Sequence, residues 1–235
     1  MSGEPTGLSN PTLVRVIEAA ARLQELVPDA VLVGGSAAAL YAGHRDSYDH
    51  DHVVADLADR FDAVLEAVES QAGWVTNRVA AGKIILGELG GIETGIRQLI
   101  RLTPLEVARV RLPSGQLLTA PTPDETLRVK AFLVVRRNQA RDYLDVAALA
   151  DRFGITGSGA VLARIDDYYA DQRGQGDGVG SQVARQLADP RPADESTTRD
   201  LGRYKNLAPR WQDWRAVVAV CRELAGAMLT TEDTS

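Results

Sequence analysis

The chain is poor in cysteine, histidine, aromatic side chains and long apolar runs, and each shortage removes a class of protein. Its single cysteine, Cys221, excludes an internal disulfide framework and fits a cytoplasmic setting. The residues before it, Trp214 to Val220, are apolar and helical in pattern, which marks a buried structural thiol rather than a nucleophile. No run of about 18 apolar residues is present, so no transmembrane helix and no membrane partner are expected. Met1 to Asn10 is polar and lacks the apolar stretch of a secretory signal. Aromatics amount to 5% of the 235 residues, so the core must be built mostly from Ala, Val and Leu. The three histidines all fall between His44 and His52, too few and too close for an HD-type phosphohydrolase. On a strand, His50 and His52 would also face away from Asp49 and Asp51, against the sheet's helix-covered side.

The net charge of −6 argues against indiscriminate nucleic-acid binding, but the charge is uneven. Between Arg97 and Arg141 stand nine basic residues against Glu106, Asp124 and Glu125. A locally basic face on an acidic protein suits selective binding of a polyanion. Arg97, Arg137 and Arg141 are the candidates to touch such a polyanion; solvated arginines in an arginine-rich composition are an equal reading.

The pattern of elements divides the chain. Asn10-Pro11 reads as an N-cap with Pro at the first helical position, followed by an amphipathic helix ending near Pro28. Val31 to Val33 is a short buried strand that stops at Gly34-Gly35, and Ser36 to Tyr41 starts a helix. Asp49 to Val54 is a second strand, and Leu57 to Gln71 a helix. From Trp74 the period shortens, and Ile84 to Leu89 and Ile92 to Ile100 read as paired strands. Leu105 to Arg111 and Gln116 to Ala120 form a hairpin. Thr122-Pro123-Asp124-Glu125 then offers a capping box, and the remainder is helical. Helices are predicted over 123–137, 139–153, about 159–171 and about 209–228. An α/β portion over 11–121 is therefore followed by an all-helical portion over 122–235. Within the latter, 172–199 is rich in Gly, Asp, Pro and Ser and reads as a partly mobile loop. Tyr204, Trp211 and Trp214 could stack on a nucleobase, though packing of the last helix is the plainer reading.

Two short motifs carry chemistry. Glycines after a buried strand let backbone approach a phosphate, and the Ser36 hydroxyl with the free N–H groups of a starting helix can donate to it. This is neither a Walker loop, for no Gly-Lys-Ser/Thr follows, nor a G-x-G-x-x-G fingerprint. Asp49 and Asp51, alternate residues of a strand, point the same way with Cα atoms about 6.5–7 Å apart. Such a pair suits Mg²⁺, which prefers carboxylate, water and phosphate oxygens. Strand, Gly-Ser turn, helix and Asp-x-Asp strand in that order are far more specific than either motif alone.

The run Gly34-Gly-Ser-Ala-Ala-Ala-Leu40, then Arg45-x-Ser47-x-Asp49-x-Asp51, resembles the polymerase β-like nucleotidyltransferase superfamily. Lys130 followed by Arg137-Asn-Gln-Ala-Arg-Asp142-Tyr-Leu-Asp145 resembles its AbiEii/AbiGii toxin branch, to which MenT-type toxins belong. The resemblance covers about residues 30–153. It implies an α+β fold: a mixed nucleotidyltransferase sheet with flanking helices, then an all-helical C-terminal half. It implies that Gly34, Gly35, Ser36, Arg45 and Ser47 hold a nucleoside triphosphate and that Asp49 and Asp51 bind Mg²⁺. Lys130 would neutralise phosphate charge. Asp142 and Asp145 would position an acceptor hydroxyl or hold Arg141 and Lys130, unless they form a plain ion-paired helix. A third carboxylate is common in the superfamily; Glu93 is preferred over Glu88. The implied function is a toxin of a toxin–antitoxin or phage-defence module that transfers NMP from NTP to an acceptor, tRNA or other RNA first, and is restrained by an antitoxin protein. A small-molecule (aminoglycoside-type) nucleotidyltransferase and an inert nucleotide-binding or partner-binding module stay open. One departure stands out: His50 and His52 occupy positions that are usually apolar in the superfamily.

Overall fold

The computed structural model describes residues 5–172, 176–204 and 206–232. The first four residues of the polar N-terminus, residues 173–175 of the predicted loop, and Lys205 beside Tyr204 lie outside them. The chain divides into two compact units, one of Thr6–Ile100 with Pro104–Thr122, the other of Pro123 onward with Arg101–Thr103. Arg101–Thr103 is an excursion that composition does not reveal.

In the first unit, α1 (Pro11–Leu26) begins as its sequence dictates. Asn10 Oδ1 accepts from the N–H groups of Thr12 and Leu13 at 3.0 and 3.3 Å, relieving two donors that the helix leaves unpaired. Next come β1 (Val31–Val33), α2 (Gly34–Ala42), β2 (Asp49–Val54), α3 (Phe61–Glu69), β3 (Trp74–Ala80), β4 (Ile84–Leu89) and β5 (Ile92–Gln98). They build a five-stranded mixed sheet in the order β1-β2-β5-β4-β3, in which β2 and β5 run parallel and the other neighbours antiparallel. A separate hairpin, β6 (Val107–Arg111) with β7 (Leu117–Pro121), turns Val110, Leu118 and Ala120 into a core with Leu13, Ile17, Leu32 and Leu40. A second core joins Leu23, Val54, Leu57, Phe61, Val64, Ile85 and Ile96. Helix α3 starts at Phe61 rather than Leu57. Leu57 is buried all the same, in a turn that Gln98 fixes by accepting from Ala58 N at 2.8 Å and donating to Ala55 O at 2.6 Å.

The second unit is helical: α4 (Pro123–Arg137), α5 (Ala140–Phe153), α6 (Ile155–Ala163), α7 (Ile165–Tyr168), α8 (Val179–Ala188), α9 (Glu195–Thr198) and α10 (Trp214–Glu232). Helix α10 packs on α5, α6 and α8. The helix expected over 159–171 is instead α6, α7 and a 3₁₀ turn at Ala170–Gln172. Gly159 lies inside α6 because a Cβ there would stand 2.6 Å from Ala227 Cβ of α10; close crossing outweighs helix propensity. The expected loop over 172–199 needs correcting, since it contains α8, whose Val179, Val183 and Leu187 are buried at helical spacing. Cys221 is fully buried and free, and burial pushes its thiol pKa far up. Trp211 is buried and Trp214 meets the Tyr143 ring edge-on at 6.1 Å, so both serve packing. Glu125 is gripped by Arg101 at 2.6 Å and Arg128 at 2.5 Å, all three buried. Arg128 also lies 3.7 Å over the Tyr168 ring.

Candidate active site

Strand alternation gives the sheet two chemically opposite faces. Register places Asp49 beside Glu93 and Glu93 beside Glu88, and in the next row Asp51 beside Gly95 and Gly95 beside Leu86. Paired residues share a face, so four carboxylates line one side. Asp49, Asp51 and Glu88 are half-buried there, while Glu93 and Arg97 are exposed. The opposite side carries His50, His52, Thr94, Ile85 and Ile96, all buried. His50 Nε2 lies 3.1 Å from Thr94 Oγ1, and the two imidazoles meet edge-on at 5.2 Å. Burial lowers the His50 pKa to about 4 and that of His52 well below its ordinary value. Both rings are therefore neutral near pH 7 and belong to the core.

The Gly-Gly-Ser turn joins β1 to α2 above this open face. Gly34 sits at φ +75°, and a Cβ on it would stand 3.2 Å from Asp51 Oδ2; glycine takes both the left-handed backbone and the close carboxylate without strain. A Cβ on Gly95 would collide with Asp51 Oδ1. The Asp51 carboxylate thus rests between two glycines. Ser36, 1% exposed, donates its hydroxyl to the Asp49 main-chain oxygen at 2.5 Å, tying the turn to β2. Helix α2 has no side-chain cap, which leaves its first N–H groups to a ligand or solvent. Ser47 Oγ donates to Asp49 Oδ1 at 3.2 Å. Arg45 is buried, with Nη2 2.5 Å from where a Gly35 Cβ would be and Nη1 donating to Asp46 O at 3.1 Å. It supports the turn from its protein side. Asp46 in turn accepts from Asn10 at 2.6 Å and Tyr48 at 3.2 Å, so the residue that caps α1 also anchors the loop before β2.

The donor set fits a hard divalent cation. Asp49 and Asp51 supply carboxylate oxygens on one strand face, and the glycines at 34 and 95 leave the space around Asp51 that any side chain would fill. Among the described residues no group of three His, Cys, Asp or Glu converges as a metal cluster. The cation would be held by the two aspartates, with Glu93 beside Asp49 in register but not gathered onto the same point. The guanidinium of Arg97 lies across this position, its Nε 3.4 Å from Asp51 Oδ1.

The remaining sequence-predicted residues lie in the helical unit as a second cluster. Lys130, 4% exposed, places Nζ 2.7 Å from Asp145 Oδ2 and 3.7 Å from Asp142 Oδ1. Arg137 Nε is 3.8 Å from Asp142 Oδ2 and partly exposed, and Arg141 is exposed. Burial raises the Asp142 pKa against the opposing pull of Lys130. The geometry answers the choice between the roles foreseen for these acids in one respect: Asp145 holds Lys130, and Lys130 meets carboxylates instead of solvent. Sequence reasoning missed Gly95, Arg101 and Asp46. Of these only Gly95 carried a signal, since glycine within a strand marks close approach by another group.

The fold has relatives among solved structures. MenT4, a nucleotidyltransferase toxin from Mycobacterium tuberculosis, superposes with a TM-score of 0.54 at 17% identity, covering 97% of this chain and 86% of that one. The fold is that of a nucleotidyltransferase. A putative nucleotidyltransferase from H. pylori covers all of this chain with a TM-score of 0.49 and 14% identity. No protein-family model matches the chain. In sequence, the heme uptake protein MmpL11 of Mycobacterium tuberculosis is 31% identical over 243 aligned positions, 91% of this chain and 22% of that protein. The mycolic acid-containing lipids exporter MmpL11 of Mycolicibacterium smegmatis is 37% identical over 129 positions. The chain spans about a fifth of the length of the first of these relatives. Among the described residues, no helix of this nucleotidyltransferase fold is long and apolar enough to cross a membrane.

Proposed function

We propose that the chain is a nucleotidyltransferase toxin that transfers NMP from an NTP to an acceptor hydroxyl, with RNA, tRNA foremost, as the acceptor. The observation that carries this reading is the placement of Asp49 and Asp51 on the open sheet face, under a glycine turn that starts a helix. In transfer, the acceptor oxygen bonds to the α-phosphorus, the bond to the β-phosphate bridge breaks, and pyrophosphate leaves with the electron pair. The protein's task is positioning and charge stabilisation more than covalent work. The N–H groups of Gly35, Ser36 and Ala37 at the start of α2 receive the triphosphate, and Gly34 lets it approach. Asp49 and Asp51 would hold Mg²⁺, which would supply Lewis-acid stabilisation at phosphorus. Glu93, exposed beside Asp49, takes the acceptor hydroxyl proton. Lys130 and Asp145 fix α4 to α5, so that Arg137 and Arg141 stand outward for an acceptor polyanion. The likeness in fold to a MenT toxin supports the toxin reading, in which an antitoxin protein restrains the enzyme in the cytoplasm.

The test is an incubation of purified protein with Mg²⁺ and each α-labelled NTP in turn, offering total RNA, tRNA, protein extract or aminoglycosides as acceptors. Label should enter RNA, and Asp49→Asn or Asp51→Asn should lower incorporation by about a thousandfold or more, within the range that loss of transition-state stabilisation gives. Undiminished incorporation by either variant refutes the assignment. Label in the aminoglycoside arm alone would reassign the acceptor to a small molecule. Mg²⁺-dependent NTP binding without transfer to any acceptor would favour the inert module.

A further inference from the structure

Arg97 has no role in holding the fold together that its contacts reveal. It is a strand residue on the acidic face, two positions beyond Gly95, and 46% of its side chain is exposed. Asp51 and Arg97 are each other's sole charged or hydrogen-bonding side-chain partners among the described residues, through Nε and Oδ1 at 3.4 Å. The pair is diagonal across parallel strands: Asp51 stands opposite Gly95, and Arg97 stands opposite Val53. Gly95 has no side chain to come between them, and its missing Cβ is what lets the carboxylate lean toward β5. The contact uses Nε at the base of the fork, leaving the terminal nitrogens Nη1 and Nη2 without a partner among the described residues.

We propose that Arg97 is a positioning residue that exchanges Asp51 for the triphosphate when the metal site fills. This rests on the assignment of Asp49 and Asp51 as the metal pair and adds a competition to it. With no cation present, four carboxylates share one sheet face at strand spacing, and Arg97 offsets the repulsion where Asp51 would otherwise stand alone. Asp51 cannot give Oδ1 to a cation and to Arg97 at full strength together, because the guanidinium charge opposes the second positive charge at that distance. Release leaves a long, exposed, fork-shaped cation beside the site, and guanidinium geometry matches phosphate oxygens. The competition therefore weakens metal binding in the absence of nucleotide and favours loading of metal and triphosphate together. It disfavours an enzyme filled with cation alone.

The test measures two equilibria of opposite sign. Mn²⁺ binding to the intact chain without nucleotide, read by calorimetry or by the spectrum of free Mn²⁺, should tighten about two- to fivefold in Arg97→Gln, the scale of an exposed ion pair. NTP binding at saturating Mg²⁺ should weaken in the same variant, and Arg97→Lys should recover part of it. In an Asp51→Asn background, Arg97→Gln should no longer change the Mn²⁺ measurement. Unchanged or weaker Mn²⁺ binding by a folded Arg97→Gln protein overturns the exchange while leaving the metal pair intact. Wild-type protein that binds no Mn²⁺ overturns the metal pair, and the exchange with it. Thermal melting of each variant without ligand confirms that the fold survives a change at so exposed a side chain.

Discussion

The two units use the same charged residue types to opposite ends. On the sheet, Asp49 and Asp51 are half-buried, Asp51 touches one partly exposed arginine, and Glu93 stands open. In the helical unit, Asp142 and Asp145 are fully buried, and Lys130 is enclosed with them. A buried charge must be compensated by the protein itself, whereas a half-open one can take its counter-charge from a ligand. Exposure of the carboxylates, more than their number, separates the sheet face from the buried cluster between α4 and α5.

The sharpest way to break that contrast is Lys130→Ala. It leaves two buried carboxylates without their shared cation, and removal of one member of a buried pair costs about 3–5 kcal/mol. At roughly 2–4 °C per kcal/mol for a chain of this size, the melting transition should fall by about 6–20 °C. Asp51→Asn should move it by a degree or two while removing transfer. Calorimetry on both proteins decides the matter. If Lys130→Ala melts like the wild type and fails only in NTP binding, Lys130 faces phosphate after all and the two clusters are alike.

A smaller effect separates the two faces of one sheet. His50 is neutral and buried, its pKa lowered to about 4 from an ordinary 6.5 by loss of solvation. The unfolded chain therefore takes up a proton at this ring as pH falls through 6.5, and the folded one does so only near 4. Stability is full above 6.5 and declines between 6.5 and 4. At about 1.4 kcal/mol per pKa unit the loss approaches about 3 kcal/mol at the acid end. Denaturant midpoints at pH 7.5 and 4.5 should show a drop that His50→Phe reduces. Equal acid sensitivity in His50→Phe would show that the ring is not the source.

Much of this contrast could be read in the sequence, and the portion that could not is non-local. The limits of β2 at Asp49 and Val54, the Asn10 cap and α4 over Pro123–Arg137 follow from local chemistry: alternation, a capping side chain, a proline at a helix start. Strand β3 lacks that signal. It is an edge strand with a register shift between Thr76 and Arg78, and Val75 and Val79 remain exposed, so no clean alternation marks it. Helix α6 begins at Ile155, ahead of the start predicted near Gly159, and Gly159 is an interior contact surface for α10 that local pattern does not mark. Within the site, Asp49, Asp51 and the glycine turn were legible. That Glu93 falls beside Asp49, and that Gly95 makes room for Asp51, depends on pairing β2 with β5 across more than forty residues. Local pattern cannot fix that register.

Ser36 is where the comparison narrows to one hydroxyl. Its sequence position, at the start of a helix after two glycines, suits a donor to phosphate; its observed partner is the Asp49 carbonyl at 2.5 Å. Both atoms belong to the unit that carries the open face, so the hydroxyl ranks with the buried, self-compensated groups, while the helix start around it has no side-chain cap. Ser36→Ala removes that hydrogen bond and should cost about 1–2 kcal/mol, a fall of a few degrees in the melting temperature of the nucleotide-free protein. A hydroxyl that served only the triphosphate would leave that melting temperature unchanged and weaken nucleotide binding alone. Because α2 presents its main-chain N–H groups whichever residue follows Gly35, NTP affinity should drop less in Ser36→Ala than in Gly34→Ala, where a Cβ would enter the left-handed turn 3.2 Å from Asp51 Oδ2.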